Sequence, residues 1–177
     1  WLYSYMKQVT VRAFRGMARN ETYGELNSVG RKDLISFLRE EFKNKPLSFL
    51  DIGSGFGILN RDVAEQLEVH SYGVEINSKK YLKCLSLNHS SHKELITFIK
   101  GDIKEHVEIF DKVNCVYTNN IMFTEEDNKF IFKNYKGILI SNNYSIIKSL
   151  GINYETIPLN VTWTKVKNNF YKTNTFN

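Results

Sequence analysis

Apolar positions along the chain recur with a helical period in some stretches and form short continuous runs in others, and the two patterns alternate. Over residues 1–20, Leu2, Tyr5, Val9 and Phe14 share one face and predict an N-terminal helix. A second helix is predicted over about 29–43, where Leu34, Ile35, Leu38 and Phe42 make an inner stripe. Ser28 is its expected N-cap, because a hydroxyl there can take up a free backbone N–H, and Pro46 stops it. An apolar run at 47–51 predicts the first strand, and Ile58, Leu59, Val63 and Leu67 predict an inward helical face over about 58–68.

The alternation then repeats, with strands at His70–Glu75, Leu95–Lys100, Val113–Thr118 and Gly137–Ser141. Helices are expected between them at about 78–88 and 124–134. After Asn142-Asn143 the pattern becomes β-rich, with Asn153–Trp163 and Asn169–Thr175 as two long strands. Strands alternating with helices and closing in a hairpin predict an α/β fold, a doubly wound, mostly parallel sheet with a C-terminal antiparallel β-hairpin.

Between the first strand and its helix the chain reads Asp51-Ile52-Gly53-Ser54-Gly55-Phe56-Gly57. A glycine turn after an apolar strand is how open α/β sheets cradle a nucleotide, since backbone can approach the ligand with no Cβ in the way. A dinucleotide site would want G-x-G-x-x-G, and a P-loop would want Gly-Lys-Ser/Thr after the turn; neither is present. An ordinary tight turn is the plain alternative. The acid-x-G-x-G-x-G spacing suits S-adenosylmethionine, whose amino-acid end makes a carboxylate beneath the turn chemically sensible.

Ligands of such sheets lie outside the carboxyl ends of the strands. Glu75 ends the second strand, where a carboxylate can accept from both ribose hydroxyls, and Asp102 follows the third, where one can accept from the adenine amino group. Ile103 offers the ring an apolar face. Three acids, Asp51, Glu75 and Asp102, at three successive strand ends are hard to place as a packing accident, and the glycine spacing favours S-adenosylmethionine over a nicotinamide dinucleotide.

Charge changes the picture by its position. Of 24 basic and 19 acidic residues, Lys7, Arg12, Arg15 and Arg19 fall in 1–20 and Lys165, Lys167 and Lys172 in 161–177, with no acid in either stretch. Basic ends suggest a polyanionic partner such as nucleic acid or a nucleosome, and ordinary solubility charge explains them equally well. Cys84 and Cys115 read as reduced packing thiols, and His70, His89, His92 and His106 are too scattered for a metal site. With 177 residues, no apolar run of membrane-spanning length and no signal-peptide pattern, one intracellular domain is expected.

The fourth strand runs into Asn119-Asn120-Ile121-Met122-Phe123, without the prolines common in enzymes that methylate base amino groups. With Tyr23-Gly24-Glu25, the glycine motif, Gly73-Val74-Glu75, Gly101-Asp102 and Val161-Thr162-Trp163-Thr164, this segment resembles the histone lysine methyltransferases of the disruptor-of-telomeric-silencing type, which lack a SET domain. The resemblance covers about Tyr23 to the C-terminus and implies a class I methyltransferase domain over 23–177, with residues 1–22 as a basic helix packed on it. It implies cofactor contacts from Tyr23, Gly24, Glu25, Leu26, Asp51, Gly53, Ser54, Gly55, Gly57, Glu75, Asp102, Ile103 and Asn119. Asn119 would sit where the methyl group meets a lysine amine, and Tyr117, Ile140, Ser141 and Phe170 would line a narrow lysine channel. Core packing is the competing explanation for Tyr117, Ile140 and Phe170.

The resemblance further implies a core histone in nucleosomes as substrate, with the protein a monomer in the nucleus if the source is eukaryotic and in the cytoplasm otherwise. A desolvated lysine beside a cationic sulfur loses its proton without a dedicated base, so no histidine is nominated. Ile58 and Phe170 stand where the family often has a polar side chain and a tyrosine. The alternatives are an RNA or non-histone protein methyltransferase, and a non-catalytic subunit of the same fold that binds a polyanion.

Overall fold

The computed structural model describes residues 24–87 and 91–175. The expected N-terminal helix and Tyr23 lie outside the described residues. The described residues begin with α1 (Ser28–Glu41), β1 (Phe49–Ile52), α2 (Ile58–Leu67), β2 (Ser71–Glu75), α3 (Ser78–Ser86) and β3 (Ile96–Lys100). It continues with β4 (Cys115–Thr118), α4 (Glu125–Asn134), β5 (Ile138–Ser141), α5 (Tyr144–Ser149), β6 (Tyr154–Leu159) and β7 (Asn168–Asn174).

The strands form one sheet in the order β3-β2-β1-β4-β5-β7-β6. Pairing is parallel from β3 through β5, and β7 runs antiparallel to both β5 and β6. The expected hairpin therefore forms with its second strand inserted beside β5. Strand order reverses between β1 and β4, leaving a crevice at their carboxyl ends.

Strands β1, β4 and β5 are buried along their whole length, as parallel strands covered on both faces must be. Successive side chains then serve opposite layers. Phe49, Cys115, Tyr117 and Ile140 pack with Leu34, Leu38 and Val63 on one face. Leu50, Ile52, Val116 and Leu139 pack with Ile131, Phe132 and Ile147 on the other. Both cysteines are free and buried, and burial pushes the Cys84 thiol up to about 11. Among the described residues no helix is long and apolar enough to cross a membrane, and no cluster of side chains could hold a metal ion.

The structure departs from the expected elements in three places. Asn27, not Ser28, caps α1: its side-chain oxygen accepts from the Gly30 N–H at 2.9 Å, and Ser28 is already the first helical residue. The strand expected to reach Trp163 stops at Leu159, because Val161 bridges Leu26 instead of pairing with β7. Helix α5 and the 3-10 turns Ile103–Glu105 and Val107–Lys112 are too short for a periodic pattern to show them.

Gly57 carries the turn from the glycine loop into α2, as its N-cap with φ 66°. A Cβ there would press into the Phe98 ring and the Cys84 sulfur. Gly57→Ala is therefore expected to lower stability by about 2–3 kcal/mol, from left-handed strain and overpacking together. Urea unfolding would read this as an earlier midpoint, and an unchanged midpoint would contradict it.

Candidate functional site

The glycine loop is folded back onto β2. The Gly53 and Ser54 N–H groups both donate to the Val74 carbonyl, at 2.8 and 3.1 Å. Glu75, 6% exposed, accepts from the Gly55 N–H at 2.8 Å through one carboxylate oxygen and from the Asn77 N–H at 2.7 Å through the other. These charge-assisted bonds lock the loop to the end of β2 and to the start of α3. Gly53 and Gly55, at φ 83° and 57°, adopt the left-handed backbone that this path needs.

Two cavities adjoin the loop. The larger, of about 310 Å³, is lined by Gly53, Gly55, Glu75, Ile76, Asp102, Ile103, Phe123 and Trp163, among others. That volume is at the lower end for small-molecule sites. The smaller, of about 30 Å³, is lined by Asp51, Ser54, Arg31, Leu26, Ile58 and Tyr117, among others. Gly24, Glu25, Gly53 and Asn119 belong to both walls, so the two spaces meet there.

Three separate parts of the sequence build the junction. Asn119, at the end of β4, donates its side-chain N–H to the Gly24 carbonyl at 2.8 Å. The Glu25 N–H donates to the Thr162 hydroxyl at 3.2 Å, and the Thr162 N–H returns a bond to the Glu25 carbonyl at 2.9 Å. Arg31 braces the strap, donating to the Leu26 carbonyl at 3.0 Å while its Nε pairs with Asp62 at 2.6 Å.

The loop after β3 is braced too. Asp102 accepts from the Lys104 N–H at 3.0 Å and so caps the turn that buries Ile103. Lys104 reaches across to Asp127 at 2.6 Å, at the start of α4. Partial burial pulls the Asp127 carboxyl up, but the Lys104 and Thr124 contacts outweigh it and hold the group below its usual range.

Of the residues expected at a site, Gly24, Glu25, Gly53, Gly55, Glu75, Asp102, Ile103 and Asn119 line the larger cavity. Leu26, Asp51, Ser54 and Tyr117 line the smaller. Gly57 lines neither, being buried under Phe98, and its role is the turn itself. The expected channel is likewise corrected. Ile140, Ser141 and Phe170 are fully buried and line neither cavity, because β5 is an interior strand with β7 paired beside it. Phe170 stacks on Tyr117 at 5.5 Å, and the Ser141 hydroxyl donates to Asn120 Oδ1 at 2.8 Å.

Sequence reasoning missed Ile76, and it placed Phe123 and Trp163 in motifs without giving either a part in the site. Ile76 is 56% exposed yet lines the larger cavity, and its signal is an apolar residue directly after a strand-end acid. Phe123 lies over Gly53, where a Cβ would come within 3.2 Å of its ring.

No family model matches the chain. Over 107 residues, 57% of the chain, it is 33% identical to malonyl-[acyl-carrier protein] O-methyltransferase of Halalkalibacterium halodurans, and it spans 38% of that protein's length. Its structure is similar to magnesium protoporphyrin IX methyltransferase from Synechocystis PCC 6803 with bound S-adenosylmethionine, at TM-score 0.62 and 16% identity. That match covers 95% of this chain and 96% of the other. An RNA methyltransferase from Salinibacter ruber in complex with S-adenosyl-L-homocysteine matches at TM-score 0.58 and 15% identity, over 82% of this chain and 92% of that one. The fold is that of the class I, Rossmann-like methyltransferases.

Asp51 is 5% exposed beneath the loop. Burial raises its carboxyl well above the ordinary 3.8, and the nearby Glu25 and Glu75 charges raise it further. A folded-state value above the unfolded one adds stability at low pH that is lost as pH rises through the folded value. Asp51→Asn removes that loss. In the absence of ligand it is expected to raise the thermal midpoint by a few degrees at neutral pH, with little change near pH 4. Calorimetric scans at the two pH values check this, and an equal shift at both would contradict it.

Proposed function

We propose that the chain binds S-adenosylmethionine across the two adjoining cavities and transfers its methyl group to an acceptor that needs no side-chain base. The observation that carries this reading is the convergence of Asp51, Glu75 and Asp102, from the ends of β1, β2 and β3, on two adjoining cavities around a glycine loop. Two buried polar atoms support the fit. The Ser54 and Tyr117 hydroxyls border the smaller cavity and have no hydrogen-bond partner among the described residues, which is costly unless a ligand or water supplies one.

In this reading Asp51, with the Ser54 and Tyr117 hydroxyls, takes the ammonium of the amino-acid end. Glu75 keeps its two backbone donors and uses its remaining lone pairs for the ribose hydroxyls. Asp102 accepts from the adenine amino group, with Ile76 and Ile103 against the ring. The cofactor supplies a methyl group on a cationic sulfur that becomes neutral when a nucleophile attacks in line. Gly24, Glu25 and Asn119 close the junction and exclude water there, so the chain contributes mainly positioning and desolvation.

Neither Tyr117 nor Asp127 is suited to act as a general base. Burial and the Asp51 and Glu25 charges push the Tyr117 phenol well above its usual range, and Asp127 is held as an ion by Lys104. No histidine lines either cavity among the described residues. Such a site suits a neutral amine, a ring nitrogen or a carboxylate. A histone lysine remains a narrower reading that rests on the sequence motifs. RNA or a non-histone protein is better supported: Ile140, Ser141 and Phe170, three of the four residues expected to form the lysine channel, are core, and the relatives' names carry RNA and an acyl carrier protein.

The test is transfer from tritiated S-adenosylmethionine to a panel of RNA, acyl carrier protein, free histones and nucleosomes. Label on RNA or a non-histone protein is expected, with Asn119→Ala lowering the rate by roughly two orders of magnitude. Label confined to histones would reverse the acceptor preference. Binding without transfer to any acceptor, in panel or cell lysate, would favour the non-catalytic alternative.

A further inference from the structure

Behind Asn119 lies a buried lattice of amides for which neither the sheet nor the cofactor reading gives a use. Asn120, Asn128, Ser141 and Asn142 are all at most 5% exposed. Buried amides are costly unless their donors and acceptors are matched, and here the matching runs from backbone to backbone. Asn128 donates to the Thr124 carbonyl at 2.8 Å and to the Phe123 carbonyl at 3.3 Å, which turns its oxygen toward the Asn120 side-chain N–H. The Asn120 oxygen in turn accepts from the Ser141 hydroxyl. These bonds hold the segment after β4 without the prolines that would otherwise stiffen it.

A second branch reaches Asn119. The Asn142 oxygen accepts from the backbone N–H of Asn120 at 3.0 Å, which leaves its N–H to donate to the side-chain oxygen of Asn119. At the far end, the Asn119 side-chain N–H donates to the Gly24 carbonyl. A backbone donor fixes one end of this chain and a backbone acceptor fixes the other, so neither amide can turn over without breaking two bonds. An amide oxygen has two lone pairs and an amide nitrogen two protons, so each side of Asn119 keeps one free valence at the cavity junction.

We propose that Asn142, which lines neither cavity, is a positioning residue: it sets the Asn119 amide so that its oxygen accepts from an N–H-bearing acceptor beside the transferred methyl group. The proposal rests on the S-adenosylmethionine reading and deepens it, selecting a nitrogen nucleophile over a carboxylate. Asn142 acts through Asn119 and not by contact with the substrate.

Sinefungin carries an amine-bearing carbon where S-adenosylmethionine has its methylated sulfur, so it reports on this position without an acceptor in hand. Its affinity and that of S-adenosylhomocysteine are measured by calorimetry on the full chain, for the unsubstituted protein, Asn142→Ala and Asn142→Ser. The serine keeps a polar atom in the buried lattice but is too short to reach Asn119, and serves if the alanine variant does not fold. The unsubstituted protein is expected to prefer sinefungin. Either substitution should cut that preference roughly three- to tenfold, the worth of one hydrogen bond, while S-adenosylhomocysteine binds as before. In Asn119→Ala the preference is lost, and adding Asn142→Ser changes nothing more.

Equal weakening of both ligands would show a merely structural role and overturn the proposal. So would a preference that survives both Asn142 substitutions, or no preference in the unsubstituted protein. Failure of the unsubstituted protein to bind either ligand would instead remove the cofactor reading, and the proposal with it.

Discussion

The carboxylate of Glu75 is the constraint on which the site depends. A parallel sheet with a switch in strand order leaves a crevice, but the loop that lines it carries backbone N–H groups that must be satisfied. Val74 takes the first two, and Glu75 takes the Gly55 N–H while its other oxygen starts α3 through Asn77. One buried acid thus joins the ends of β1 and β2 to the next helix. The shape of the larger cavity follows from that junction. The burial that makes Glu75 effective also places Asp51 in a crowded field of negative charge, a cost that a cationic ligand would relieve.

How much of this was legible in the sequence depended on the range of the interactions. Strands buried on both faces make continuous apolar runs, so β1, β4 and β5 could be read locally, as could the glycine loop and the acids at the strand ends. The cap of α1 was off by one residue because Asn27 and Ser28 are both competent and only geometry chooses between them. The early end of β6 was hidden because its cause, the Val161 bridge to Leu26, comes from the opposite end of the chain. The amide lattice was equally hidden, since it joins positions more than twenty residues apart through side chains that no period records.

The family resemblance fared differently on the two sides of the site. Gly24-Glu25, Asn119 and Thr162-Trp163 are far apart in sequence, yet the structure brings them to one cavity through direct hydrogen bonds. Ile140, Ser141 and Phe170, expected at the acceptor channel, are packed in the core. The sheet ends set the cofactor side, and their chemistry is compact enough to survive in short motifs. Loops vary more freely than sheet ends, and similar motifs in them can serve different partners.

The central claim is that the two cavities form one site, with the nucleoside in the larger and the amino-acid end in the smaller. A crystal structure of the chain with S-adenosylhomocysteine tests it most directly. The expected density runs from Ile76, Asp102 and Ile103 past Glu75 to Asp51, Ser54 and Tyr117, with the sulfur beside Asn119. A ligand bound elsewhere, or one whose amino-acid end turns away from the Asp51 cavity, would contradict it.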